Sequence, residues 1–168
     1  IAEPLNQEEA WNYGASTALN IPVFGETLKI NMEYYYTRFS EQAVIDYDSD
    51  PFEIRIGNLG GRSYSHTFQI DATYGLFRGM TLTAAYRLND VKTTIGGRLV
   101  EKPLTSKYKG LLTASYKTPL GLWQFDATLQ LNGGGRMPVP YEKEDGTPSW
   151  NKRFGAYEQL SAQITRWF

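Results

Sequence analysis

Three aspartates alternate at Asp46, Asp48 and Asp50, with Glu53 close behind. Hard cations take oxygen ligands, and acids at this spacing open many calcium loops. The pattern then fails. Pro51 follows where the motif needs a turning glycine, and Gly57 stands where the closing glutamate belongs. A solvated passage from strand into loop fits these acids better. His66 is the single histidine and cysteine is absent. One imidazole without a thiol does not build a zinc site. Ser63 and Ser65 lie beside His66, but no nucleophile elbow surrounds them. His66 therefore reads as a strand residue near a rim. Gly133-Gly134-Gly135-Arg136 lacks the Lys-Ser/Thr pair and following helix of a phosphate loop. It reads as a bulge bending a strand at its exit, as do Gly60-Gly61 and Gly96-Gly97. No residue is expected to be catalytic, and no metal or cofactor site is expected.

What remains is a polar set: Gln69, Asp71, Thr73, Arg87, Gln124, Asp126, Thr128 and Gln130. Each falls on the wet side of an alternating segment. In a large membrane barrel these residues would line the lumen and meet a plug or a solute. In a soluble barrel they would face water. Acid, base and amide are mixed, so the set names no substrate. Tyr141 to Trp150 reads first as a plain loop and second as a solute contact.

The elements that must position these residues are strands. Trp11, Tyr13, Ala15, Thr17, Leu19 and Ile21 share one face of a segment whose other face holds Asn12, Gly14, Ser16, Ala18 and Asn20. A second strand starts at Leu28 and extends as far as Ile45. Further strands are expected over 64–76, 80–88, 107–117, 122–132 and from Phe154 onward. The sixth is the cleanest, with Trp123, Phe125, Ala127, Leu129 and Leu131 against Gln124, Asp126, Thr128, Gln130 and Asn132. Period-2 alternation predicts an all-β antiparallel sheet with one apolar and one wet face. A soluble sandwich would show the same alternation. Two features favour lipid. The strands exceed the usual ~5–6 residues of soluble sheets. Aromatic residues gather near strand ends, where amphipathic rings sit at headgroup level.

Connections alternate in length. Short turns fall at 23–27, 77–80 and 118–121, and outer loops near 47–62, 89–106 and 133–152. That asymmetry matches an outer-membrane β-barrel. Mean hydropathy is −0.44, which excludes membrane helices but not strands that are apolar only at alternate positions. Net charge is −1, so no basic footprint points to nucleic acid. No signal peptide opens the sequence at Ile1-Ala2-Glu3-Pro4. The 168 residues suffice for one domain, with a sizeable core if the protein is soluble.

Seven strands are odd, whereas bacterial single-chain barrels have even numbers. The expectation is an up-and-down meander forming an arc of a larger barrel over residues 1–168. The alternative is a missed strand, at Val91 to Leu99 or Phe52 to Ile56.

Leu5-Asn6-Gln7-Glu8-Glu9-Ala10-Trp11-Asn12-Tyr13-Gly14 resembles the entry to a late barrel strand of TonB-dependent outer-membrane receptors. The passage from Phe39 to Tyr47 into Asp48-Ser49-Asp50-Pro51 is similar to the same family. So is Leu129 to Pro138. The style resembles Bacteroidota members and covers nearly the whole chain. The resemblance implies a Gram-negative outer-membrane importer of a nutrient or chelate, with a 22-stranded barrel and an N-terminal plug that contacts TonB. Neither the plug nor the TonB-contacting segment is in this sequence. Its partners would be outer-membrane lipid, TonB through that plug, and an unidentified solute. Phe168 could instead be the assembly signal of a complete small barrel. Leu160, Ala162 and Ile164 suit that signal, and Arg166 departs from it. A soluble ligand-binding barrel or sandwich is a further alternative, with Trp123, Phe125, Leu129 and Leu131 facing inward.

Overall fold

The computed structural model describes residues 4–48, 53–138 and 153–168, together with the backbone of 141–142 and 148–149. Seven long strands carry the fold: β1 (Glu9–Val23), β2 (Glu26–Glu41), β5 (Ser63–Phe77), β6 (Met80–Ile95), β8 (Tyr108–Lys117), β9 (Trp123–Asn132) and β14 (Tyr157–Arg166). They pair in the order β1-β2-β5-β6-β8-β9-β14, each antiparallel to the next. This is the up-and-down meander the alternation predicts, with no helix among the described residues. The barrel is not closed. Because every pairing is antiparallel, β1 and β14 run in the same direction and could not close on each other as an antiparallel pair.

Short strands occupy the long connections. β3 (Ala43–Asp46) pairs with β4 (Arg55–Asn58), and β7 (Arg98–Glu101) folds back on the end of β6. β10 (Gly135–Arg136) pairs with β13 (Arg153–Phe154), and β11 (Tyr141–Glu142) with β12 (Pro148–Ser149). Three sequence expectations change here. The second long strand ends at Glu41, and Ala43 to Asp46 belong to a separate hairpin. Val91 to Leu99 is not an extra spanning strand; β6 runs on to Ile95 and turns. Gly96 and Gly97 form that two-residue turn, with φ of 55° and 75°, rather than a bulge. Positive φ at both central positions is what a type I′ hairpin demands. The β1–β2 turn follows the same rule, with Phe24 at φ 50° and Gly25 at 87°.

The register carries the apolar face across the whole sheet. Leu19 lies opposite Ile30, Ile30 opposite Ala72, Ala72 opposite Ala84, Ala84 opposite Leu112, Leu112 opposite Leu129, and Leu129 opposite Leu160. No second layer covers this row. Ile95 is the single buried hydrophobic residue among those described, while Trp11, Tyr13, Phe125, Leu160 and Ile164 are exposed. A soluble chain of this length would hide such residues in a core.

Aromatic rings mark the two ends of the apolar band. At the turn end, Phe77 lies near Tyr116, and Trp123 stacks on Phe125 with centroids 6.4 Å apart. At the loop end, Tyr36 and Tyr64 bracket His66 at 4.7 and 5.3 Å, and the Tyr34 hydroxyl meets His66 Nδ1 at 2.7 Å. His66 thus occupies the rim position anticipated for it, on the apolar face.

Candidate solute-facing surface and its outer loops

The eight residues of the predicted polar set share one face of the sheet. Gln69 stands opposite Arg87, Asp71 opposite Ala85, and Gln130 opposite Leu111. Thr73 faces Thr83, whose next partner, Thr113, faces Thr128. Asp126 and Gln124 pair with Ser115 and Lys117.

Hydrogen bonds between strands join these residues along the hydrogen-bonding direction. Asn31 Nδ2 donates to Asp71 at 2.8 Å, and the Thr73 and Thr83 hydroxyls meet at 3.2 Å. The Thr113 and Thr128 hydroxyls meet at 3.1 Å. Ser115 donates to Asp126 at 2.6 Å, and along the same strand Gln124 Nε2 donates to that carboxylate at 2.9 Å. Such cross-strand pairs stabilise the sheet and favour this register.

Nearer the loops the wall gains two cations in the row that holds Glu33. Lys109, which is outside the predicted polar set, is register partner to Arg87. Gln69, Arg87, Lys109, Gln130 and Asn132 line a shallow depression of about 300 Å³. Only the strand register could have brought these cations together.

The long connections are knitted to one another. Arg136 Nη2 stands 2.7 Å from Asp48 Oδ2, with side chains 6% and 3% exposed. Arg136 Nε donates to the Glu101 carbonyl at 2.7 Å, and the Leu104 amide donates to the Arg136 carbonyl at 2.9 Å. The Glu101 carboxylate takes Lys107 on one oxygen and Arg153 on the other, each at 2.7 Å. Burial pushes the Glu101 carboxyl up, but hydrogen bonds and charge from Lys107 and Arg153 outweigh it and hold the group below its ordinary 4.5.

Asp48 is therefore not the solvated residue expected from sequence. It is buried because a distant arginine supplies its counter-charge. Its backbone amide donates to Asp46 Oδ1 at 2.8 Å, and Glu53 pairs with Arg55 at 2.9 Å. Asp50, the third acid of the triplet, lies outside the described residues, as does Trp150; only the backbone of Tyr141 is described.

The glycines of the third loop are explained by close approach. A Cβ on Gly133 would stand 2.6 Å from the Tyr108 ring, and one on Gly135 would stand 2.6 Å from the Phe154 ring. This is tight packing at a strand exit, which delivers Arg136 to Asp48. No family model, curated protein or solved structure matches the chain.

Proposed function

We propose that the chain is an arc of the wall of a TonB-dependent outer-membrane receptor that imports a nutrient or chelate. One observation carries the reading: an uninterrupted apolar face spans all seven long strands, rimmed by aromatic rings, with nothing among the described residues to cover it. A bilayer is the solvent that such a face requires. Short turns at one edge and knitted loops at the other fit the inner and outer sides of that membrane. The polar wall then lines the lumen. The unpaired edges of β1 and β14 are completed by further strands, since open edges do not occur against lipid. The chain performs no reaction. Energy reaches the barrel through TonB and a plug.

The soluble alternative places Trp123, Phe125, Leu129 and Leu131 in a core, whereas Trp123, Phe125 and Leu131 are exposed and Leu129 is half-buried. The test is fractionation and transport of the full-length gene product in a Gram-negative host. It is expected in the outer membrane, soluble only in detergent, with uptake that stops when TonB is deleted. A monodisperse monomer in plain buffer, or a reading frame starting close to Ile1, would sink the proposal.

A further inference from the structure

The apolar face of the sheet ends in cations at its loop side. On β2 the positions of that face run Leu28, Ile30, Met32, Tyr34 and Tyr36, and then come Arg38 and Ser40. On β5 they run back through Ile70, Phe68 and His66 to Tyr64, and the next position in the alternation is Arg62. Arg38, Tyr64 and Lys92 form one register row. A strand crosses hydrocarbon in roughly 9–11 residues. The stretch from Leu28 to Arg38 has that length, so the row falls at headgroup level. Arg38 and Arg62 line one recess of about 590 Å³ with Tyr36, Ser40, Tyr64 and His66. No carboxylate lines it. Neither guanidinium has an ion-pair or side-chain hydrogen-bond partner among the described residues. Lys92 Nζ lies 5.9 Å from the Tyr64 ring centroid and 3.7 Å from Asp90, so this third cation is partly answered. Arg62 is held in place. The Thr94 hydroxyl accepts from its amide and donates to its carbonyl, each at 2.9 Å. A Cβ on Gly61 would stand 2.6 Å from that hydroxyl oxygen. Two like charges lining one recess repel each other, and an anion between them removes the repulsion.

We propose that this recess binds the phosphate of a glycolipid headgroup in the outer leaflet, as in lipid A. The two guanidiniums take the phosphate oxygens, because the planar fork matches that anion. Tyr36, Ser40 and Tyr64 border the space left for the sugar. The acyl chains lie over Tyr34, Phe68 and Leu88, one exposed row of the apolar face. The occupant is a lipid rather than an imported solute, because Arg38, Tyr64 and His66 stand on the face opposite the polar wall. The site deepens the importer reading, on which its place in an outer leaflet rests.

The test titrates lipid A into full-length protein in neutral detergent, read by native mass spectrometry. A saturable adduct is expected. Arg38→Gln and Arg62→Gln should each weaken it roughly tenfold. Arg62→Lys, which keeps the charge and loses the fork, should weaken it less. Arg78→Gln removes a charge at a short turn and should leave the affinity unchanged. Equal affinity in the parent and in the double variant Arg38→Gln with Arg62→Gln would overturn the site. So would an equal loss in Arg78→Gln, which would mean attraction by overall charge. Displacement of lipid A by inorganic phosphate at the same concentration would overturn the lipid as occupant. A protein that fractionates with the outer membrane but binds lipid A no better than the double variant overturns this site and leaves the wall reading standing. A full-length protein soluble in plain buffer overturns the wall reading, and with it the outer leaflet as the source of the phosphate.

Discussion

At the scale of residues, the buried pair of Asp48 and Arg136 decides how the long loops hold together. Burying both charges offsets much of their attraction, so the pair adds little net stability. Removing one partner is another matter, because the survivor stays buried and uncompensated at a cost of about 3–5 kcal/mol. Arg136→Ala is therefore expected to open the loops to limited proteolysis. The double change Asp48→Leu with Arg136→Met is expected to recover most of the protection. Equal cleavage of the single variant and the parent would refute a structural role for the pair. Glu101 adds a pH dependence. Its carboxyl lies below 4.5 in the folded protein, so its ties to Lys107 and Arg153 are in full force above that pH. They are lost as pH falls through the lower folded value. Loop protection should drop in that acid window, and Glu101→Gln should remove the step. Neither contact was legible in the sequence. Asp48 and Arg136 belong to different loops, and nothing local to either announces the other.

At the scale of elements, alternation made the long strands readable and the short ones invisible. β9 shows five apolar and five polar residues in strict order. β10 to β13 have two residues each and no period to read. β6 was expected to stop at Leu88, with a long loop from Asn89, yet it runs on to Ile95. The strand continues because Val91 and Ile95 are covered by the loop above them. The two faces give a direct test. Arg at Leu129 faces the apolar side near mid-strand and should cost about 2–4 kcal/mol if that face meets lipid. Arg at Gln130 faces the polar wall and should cost far less. Guanidinium unfolding of the full-length protein from vesicles measures both. Equal costs would mean that the faces do not divide lipid from water.

At the scale of the molecule, the sheet has two free edges and almost no interior. The odd strand count was visible in the sequence, and its consequence, parallel ends that cannot close antiparallel, follows from the observed pairing. The 168-residue chain purified alone is expected to elute above monomer mass, since both edges and the apolar face invite association. Within the full-length protein, amides on the outer edge of β1 should resist hydrogen exchange. Equally fast exchange in both contexts would show that no further strand covers that edge.

The meander also sets a timetable. Each long strand pairs with the next long strand in sequence, so wall-building contacts are local or separated only by a loop, and such contacts form early. The tie between Asp48 and Arg136 is different, because it spans the strands from β5 to β9. Little rewards that long closure until the intervening wall stands. The latch is therefore set last, and an assay of its protection reads the completion of assembly rather than its beginning.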